Sequence, residues 1–270
     1  MRCLFPLTYD PLAKKLNARG GIKVPCGKCF YCLQDRAHVW ALRSSHQLRT
    51  SACGFFVTLT YSDDNLPSGS LLNYSDVQLF HKRLRKVSPK FKFFLCGEYG
   101  PKTARPHYHA CYFLDGYPTD FARSVAECWP LGFSTTRQIS EDDHAANYVA
   151  SYTSKKFFTE DVFGYAVLPF LRLSQGVGRE FALIHAKSIL SRGFVYSGKY
   201  KMSIPRYYLK VYEKELPDLF AAYLVDRPKV DWTSEKLDSE LLISDKRQEL
   251  EVSIHKSKKV HYDYVRNKTL

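Results

Sequence analysis

The sequence predicts an α+β fold, and two observations support this prediction. Segments rich in β-branched and aromatic residues alternate with helical patterns in the order β, α, β, β, α, β, α over about residues 50–160. No long Gly or Ser linker interrupts this alternation. The pattern therefore favours one compact domain of mixed helices and strands.

The first half of the chain is divided by capping and turn residues. Thr and aromatic residues indicate strands, and apolar residues at helical spacing indicate helices. The expected elements, in order, are an irregular segment over 1–36, a helix over 37–49, a strand over 54–61, a helix from the capping box at Ser75 to just before Pro89, and strands over 91–98 and 107–114.

The second half continues the alternation and then becomes basic. The expected elements are a helix from Thr119 to about Trp129, a strand over 132–139, a helix from Ser140 to roughly Phe157, a turn at Gly176 and Gly178, a helix over 180–190 and a strand over 194–200. Three regions result: a Cys-rich segment over 1–36, a core over 37–160 and a basic region over 161–270.

Composition narrows the function classes. With 270 residues, 45% of them hydrophobic, the chain can bury a core, which excludes a wholly disordered protein. Lys and Arg outnumber Asp and Glu 40 to 27, and this excess favours a polyanionic partner such as nucleic acid. No long apolar run and no signal-peptide pattern occur, so we expect a cytoplasmic protein with no membrane partner, whose eight cysteines are thiols or metal ligands.

Two histidines lie two residues apart in the strand predicted over 107–114. Side chains alternate along a strand, so His107 and His109 share one face. Glu98 ends the preceding strand, and the Gly and Pro residues after it predict a turn that returns the chain antiparallel. Two imidazoles and a carboxylate suit Mn²⁺ or Mg²⁺ acting as a Lewis acid on a phosphate. The alternative interpretation is a His-x-His pair without a metal.

A tyrosine pair marks the helix predicted from Ser140. At about 100° per residue, Tyr148, Tyr152 and Lys155 lie on one stripe of a helix. A phenol has a pKa of about 10, so its attack on a phosphodiester needs a metal or another cation nearby. Lys155, or the adjacent Lys156, can supply that charge. The alternative is that both tyrosines are ordinary residues at the edge of the core.

Three motifs in this order resemble those of HUH endonucleases, the initiators of rolling-circle replication. They are Phe56 to Tyr61, the Gly97-Glu98-Tyr-Gly segment that runs into Pro106-His107-Tyr-His109, and Tyr148-x3-Tyr152-x2-Lys155. The paired tyrosines are similar to those of the two-tyrosine class. The segment Val24-Pro-Cys-Gly-Lys-Cys29 resembles the initiators of gokushovirus-type microviruses. The resemblance covers about residues 55–156.

This resemblance implies a central antiparallel sheet of about five strands flanked by helices, with the histidines on a central strand and the tyrosines on a facing helix. It implies His107, His109 and Glu98 as metal ligands, Tyr148 and Tyr152 as nucleophiles, and Lys155 as the motif lysine. The reaction it implies is nicking of single-stranded origin DNA, with a 5′-phosphotyrosine link, a free 3′-OH for the host DNA polymerase and later strand joining.

The sequence also bears on the partners of such a reaction. No Gly-x4-Gly-Lys-Ser/Thr motif of a phosphate-binding loop occurs, so unwinding would require a host helicase. The expected setting is the cytoplasm of a bacterial host.

The cysteines near the start of the chain form a candidate metal site. Cys26, Cys29 and Cys32 are evenly spaced, and Cys3 can serve as a fourth thiolate for structural Zn²⁺. Zinc ribbons use two separated Cys-x2-Cys knuckles, so free buried thiols and an iron–sulfur cluster stay open as alternatives.

The basic region offers candidate DNA contacts. Lys and Arg interleave with tyrosines over 199–214, a mixture that suits phosphate contacts together with base stacking. A solvated helix face with core tyrosines explains the same pattern. The candidate DNA-binding residues across the chain are Arg105, Lys156, Lys199, Lys201, Arg206 and Lys210.

Two rival functions use the same fold. A transposase or relaxase of this superfamily differs in substrate more than in chemistry. A non-catalytic DNA-binding protein would not need Glu98, both histidines and both tyrosines together. Nicking activity therefore leads among the hypotheses.

Overall fold

A computed structural model describes residues 3–12, 15–16, 21–100, 103–140, 167, 169–197 and 200–226. The chain divides into two compact units: the first comprises residues 1–37, 153–166 and 230–270, and the second comprises 38–152 and 167–229. None of the described helices is both long and apolar enough to cross a membrane.

The first unit contains a small sheet where the sequence predicted irregular chain. Strands β1 (Leu7–Asp10), β2 (Lys15–Leu16) and β3 (Ile22–Val24) pair antiparallel in the order β2-β1-β3. Helix α1 (Phe30–Arg49) begins seven residues before the predicted start at Ala37. Strands of two to four residues are too short to show a periodic sequence pattern, which explains the wrong prediction.

A five-stranded antiparallel sheet forms the centre of the second unit. Its strands are β4 (Cys53–Tyr61), β5 (Phe91–Tyr99), β6 (Pro106–Leu114), β7 (Gly132–Ile139) and β8 (Phe170–Leu173). Their order is β7-β4-β6-β5-β8, and every neighbouring pair is antiparallel. The predicted fold class is confirmed, with the His strand β6 in the middle. The edge strand β8 comes from the region that was predicted to follow the core.

One face of this sheet carries the main hydrophobic core. Helices α2 (Tyr74–Val87) and α3 (Phe121–Cys128) bury their apolar stripes against it. The core includes Leu59, Leu95, Tyr108, Phe80 and Val125, each at most 1% exposed. At about 25 cal/mol per Å² of apolar surface, such complete burial makes this face the main source of stability.

The caps of α2 and α3 lie one or two residues from the predicted positions. Asn73, rather than Ser75, caps α2, because its side chain accepts a hydrogen bond from the Ser75 amide at 3.1 Å. Asp120, rather than Thr119, caps α3 by accepting from the Arg123 amide at 2.9 Å. Asn and Asp are strong N-caps, since their short side chains reach the unpaired amides of the first turn.

The other face of the sheet is covered at one end by α1. Trp40 meets Phe94 edge-on with ring centroids 5.8 Å apart, and the Lys92 ammonium donates to Gln47 Oε1 at 3.1 Å. Phe94 pairs with Cys111 on β6, two residues past His109. Helix α1 thus packs beside the His end of this face.

A helical layer follows β8. Its elements are α4 (Arg179–Ile184), α5 (Ala186–Arg192), β9 (Phe194–Ser197), β10 (Tyr200–Ser203), α6 (Arg206–Glu215) and α7 (Pro217–Asp226). Two predictions are corrected here: the helix over 180–190 is broken at His185, and the strand over 194–200 is one arm of the β9–β10 hairpin. The predicted turn is confirmed. Gly178 has φ 75°, and a Cβ there would lie 2.5 Å from the Tyr208 hydroxyl, so glycine is required.

Candidate active site

Strand register places the predicted metal ligands at one end of the sheet. On β6, His107 lies opposite Glu98 of β5 and opposite Thr60 of β4, while His109 lies opposite Thr58 of β4. Residues paired directly across antiparallel strands point to the same face, so all five side chains share the face opposite the main core. The expected return of β5 onto β6, which brings Glu98 to the histidines, is confirmed by this register.

Two threonines orient the histidine rings. Thr58 Oγ1 lies 3.0 Å from His109 Nδ1, and Thr60 Oγ1 lies 3.2 Å from His107 Nδ1. A hydroxyl can donate or accept, so it can pair with either tautomer of the ring. With Nδ1 held, Nε2 is the nitrogen of each ring that can take a ligand or a proton. Sequence analysis did not identify these residues as part of the site, because their role depends on β4 pairing with β6.

Glu98 and His109 form a close, buried pair. His109 Nε2 lies 3.1 Å from Glu98 Oε1, and the two side chains are only 12% and 9% exposed. A carboxylate removed from water in this way is stabilised by a positive partner, either a protonated imidazole or a metal ion. The pair therefore provides two adjacent ligand atoms for a cation.

His107 is poised to be neutral. Burial lowers the pKa of its ring, the nearby His109 and Arg105 lower it further, and Glu98 opposes them. A neutral imidazole is the form that binds a metal. Gly100 leaves room for this ring, because a Cβ on Gly100 would lie 2.8 Å from His107 Nε2.

The donor set suits a divalent cation, but the three side chains are spread more widely than a closed site. The rings of His107 and His109 are 6.4 Å apart between centroids. Among the described residues, three or more ligand atoms come within 4.8 Å of one another at the cysteine cluster. Two imidazoles and one carboxylate have the right chemistry for Mn²⁺ or Mg²⁺, and His107 would have to approach the Glu98–His109 pair to share one ion.

Arg105 has structural partners beside the site. Its guanidinium donates to the Tyr61 carbonyl at 3.2 and 3.0 Å and forms an ion pair with Asp63 at 2.7 Å. These bonds tie the start of β6 to the end of β4, next to Thr60 and His107. The predicted contact of Arg105 with DNA stays a prediction.

The predicted nucleophiles lie outside the described residues. Tyr148, Tyr152, Lys155 and Lys156 belong to this part of the chain, as does Lys199. Their roles remain predictions from the sequence.

The structure brings the four predicted zinc ligands together. The sulfur atoms of Cys3, Cys26, Cys29 and Cys32 all lie within 4.8 Å of one another. Three of these cysteines are buried, and Cys26 is partly exposed.

The C-terminal layer presents basic residues and a cavity that sequence analysis missed. Lys201, Arg206 and Lys210 are exposed. A cavity of about 570 Å³ has Arg49, Arg192, His46, Phe181 and Tyr196 among its lining residues. Its members come from α1, α4, α5 and β9, so no local sequence pattern could have identified it.

His46 contributes an uncharged wall to this cavity. Burial, with a smaller effect of Arg49, lowers the pKa of His46 to about 4, and its Nδ1 lies 2.9 Å from the Tyr208 hydroxyl. The ring stacks on Phe181 with centroids 3.8 Å apart. The positive charge of the cavity therefore comes from its arginines.

Comparison with known proteins identifies the family. Residues 54–157 match the family described as Replication-associated protein ORF2. The chain is 31% identical over 225 residues to replication-associated protein ORF2 of Spiroplasma virus 4, covering 73% of this chain and 70% of the relative. It is 30% identical over 224 residues to replication-associated protein VP4 of Bdellovibrio phage phiMH2K, covering 74% and 70%.

A third relative and the solved structures complete the comparison. Replication-associated protein ORF4 of Chlamydia phage 1 is 27% identical over 217 residues, covering 71% of this chain and 54% of the relative. No solved structure matches significantly. The matched residues 54–157 contain β4, β5, β6 and the predicted tyrosine motif. The chain therefore belongs to the ORF2 family of phage replication-associated proteins, as its resemblance to microvirus replication initiators predicted.

Proposed function

We propose that this protein is a metal-dependent endonuclease that nicks single-stranded DNA at a replication origin through a tyrosine and later rejoins the strands. The observation that supports it most is the arrangement of Glu98, His107 and His109 on one sheet face, with each histidine oriented by a threonine. Membership of a replication-associated family makes DNA the expected substrate.

The proposed chemistry exchanges one phosphoester bond for another. The phenol oxygen of Tyr148 or Tyr152 attacks phosphorus, the bond from phosphorus to the 3′ oxygen breaks, and the phenol proton is lost while the 3′ oxygen gains one. The 5′ phosphate is then linked to the tyrosine. Because the ester bond is kept, a 3′-OH can reverse the step and reseal the strand without ATP. Lys155 would stabilise the charge on the phenolate or the phosphate.

Each described residue has a distinct part in this proposal. Glu98, His107 and His109 would hold a Mn²⁺ or Mg²⁺ ion, which supplies Lewis-acid polarisation of the phosphate. Thr58 and Thr60 keep the Nε2 atoms of the two rings directed at the site. Burial of Glu98 holds its carboxylate beside His109 and away from competing water.

The proposed partners follow from the products. A free 3′-OH is the primer that a host DNA polymerase extends, and a host helicase would separate the strands. A second tyrosine lets the enzyme hold one 5′ end while it cuts the next site, with Tyr148 and Tyr152 exchanging roles.

Nicking in the presence of metal is the first test of this proposal. The purified chain, stripped with EDTA, is incubated with the circular single-stranded DNA of the genome that encodes it. Adding Mn²⁺ or Mg²⁺ is expected to restore nicking by about a thousandfold or more, because metal stabilisation of a phosphoryl transition state supplies several kcal/mol. Equal nicking with and without EDTA would contradict the metal-dependent mechanism. Binding without nicking under all conditions would favour the non-catalytic alternative.

The basic C-terminal layer is proposed to bind the DNA strand. Lys201, Arg206 and Lys210 are exposed, and the cavity that contains Arg49 and Arg192 is large enough for a nucleotide. Arginine and lysine can contact phosphates, while the Phe181 and Tyr196 rings in the cavity can stack on a base.

Removing these charges is expected to weaken the salt dependence of DNA binding. Each phosphate contact to single-stranded DNA contributes about 0.7 to the slope of log K against log salt. The triple variant Lys201→Gln, Arg206→Gln, Lys210→Gln should therefore lower the slope by roughly 2. A matched control removes three exposed lysines near α2, Lys82, Lys86 and Lys90. Fluorescence anisotropy with an oligonucleotide at several salt concentrations gives both slopes. Equal slopes for the two variants would place the DNA elsewhere.

A further inference from the structure

The four cysteines of the first unit have the spacing of ligands around a single metal ion. Cys26 and Cys32 Sγ are 4.0 Å apart, and Cys3 and Cys29 Sγ are 3.9 Å apart. In a tetrahedral site with Zn–S bonds of about 2.3 Å, the sulfur atoms lie about 3.8 Å from one another. Both separations match this value, and both are nearly twice the length of a disulfide bond.

Backbone amides are directed at two of these sulfur atoms. The amides of Lys28 and Cys29 donate to Cys26 Sγ at 3.4 and 3.3 Å, and the Cys26 amide donates to Cys3 Sγ at 3.2 Å. Gly27, with φ 75°, allows the tight turn that aims them. A thiolate accepts hydrogen bonds far more strongly than a thiol, so this arrangement suits ligating sulfurs.

The unit has little else to hold it together. Its cluster of buried apolar residues consists of Cys3, Leu4, Cys29 and Cys32, with Cys26 and Tyr31 packed against it. The exposed apolar residues Leu12, Leu16 and Ile22 show that its short strands do not cover a core of their own. Small units with so little buried surface depend on a metal or on disulfides for their stability.

We propose that Cys3, Cys26, Cys29 and Cys32 bind one Zn²⁺ in a closed structural site. Four protein ligands leave no open position for substrate, and this is the mark of a structural rather than a catalytic zinc. The ion offsets the repulsion of four thiolates within 4.8 Å of one another. It joins the chain just before β1 to the turn at the start of α1 and so closes the loop that carries all three short strands.

The geometry favours one ion over an iron–sulfur cluster. A cluster places several iron and sulfide ions between the cysteines, so its cysteine sulfurs stand farther apart than those around a single ion. A tetrahedral set of four thiolates is typical of zinc, and single iron is separated from zinc by analysis.

Metal analysis of the purified full-length chain tests the proposal. We expect one zinc and no iron per chain. Cys29→Ser and Cys32→Ser should lower the zinc content at least fivefold. Cys53→Ser and Cys128→Ser, which change buried cysteines outside the cluster, should leave it unchanged. The double variant His107→Ala, His109→Ala should also keep its zinc, which separates this site from the candidate active site.

A second measurement on the unaltered chain covers the case in which the serine variants fail to fold. Modification of the thiols with a mercurial should release one zinc per chain, and hydrogen exchange over residues 3–29 should speed up as the metal leaves. Folded protein that contains iron, or that contains neither metal, would overturn the proposal. So would full zinc content in the Cys29→Ser or Cys32→Ser variant.

Discussion

The double variant Tyr148→Phe, Tyr152→Phe is expected to lose the covalent protein–DNA adduct completely. Phenylalanine keeps the ring but removes the oxygen that would bond to phosphorus, so no 5′-phosphotyrosine can form. Nicking should fall on the order of 10⁴-fold, as when the nucleophile of an enzyme is removed. Denaturing gels with 5′- and 3′-labelled oligonucleotides measure both quantities, because only the strand 3′ to the nick, which carries the 5′ phosphate, would stay with the protein.

Single variants and a control complete this test. If the two tyrosines exchange roles, at least one single variant should still cut once, but neither should carry out repeated rounds of cutting and joining. Tyr117→Phe changes a tyrosine that is 79% exposed and lies in a loop between β6 and α3, and it should behave like the unaltered chain. An adduct of normal yield in the double variant would mean that another residue attacks.

The double variant His107→Ala, His109→Ala is expected to lose nicking about a thousandfold while it still binds DNA. The loss follows from removal of two of the three proposed ligands, since metal stabilisation is worth several kcal/mol and each 1.36 kcal/mol is about a factor of ten. Binding should change little, because the exposed basic residues lie on other elements. Nicking rates measured against Mn²⁺ concentration, with anisotropy for binding, separate the two effects.

Two further variants sharpen the result for the metal ligands. Glu98→Gln keeps the hydrogen-bonding shape beside His109 and removes the charge, so it should need more Mn²⁺ for half-maximal rate. His38→Ala changes an exposed histidine on α1 and serves as the matched control. A histidine variant that nicks at the normal rate would show that the metal, if there is one, lies elsewhere.

Local sequence patterns predicted the sheet face of the candidate site well. The alternation around His107 and His109 fixed which residues share a face, and the glycine-flanked turn after Glu98 fixed the pairing of β5 with β6. Both predictions depend on neighbours in the sequence, where the rules for strands and turns apply directly.

Features that depend on distant pairing were not predictable in this way. Thr58 and Thr60 act on the histidines because β4 lies next to β6, about 50 residues later, and no local pattern states that order. Likewise β8 has only four residues, and its place at the sheet edge follows from pairing with β5. Tertiary contacts decided these positions.

Helix ends and short elements account for the other differences. Asn73 and Asp120 are better caps than the residues predicted for these helices, so a closer comparison of neighbouring candidates would have found them. Gly198 between β9 and β10 was a turn signal that the predicted strand over 194–200 passed over. The small sheet in the first unit had no such signal, because its strands hold two to four residues.

Mapping the residue that carries DNA tests the central claim most directly. The full-length chain is incubated with Mn²⁺ and the single-stranded DNA of the genome that encodes it, digested with nuclease and trypsin, and examined by mass spectrometry. The proposed mechanism predicts a peptide with a nucleotide linked by its 5′ phosphate to Tyr148 or Tyr152. A covalent nucleotide on any other residue, or nicked DNA with no linked peptide, would contradict it.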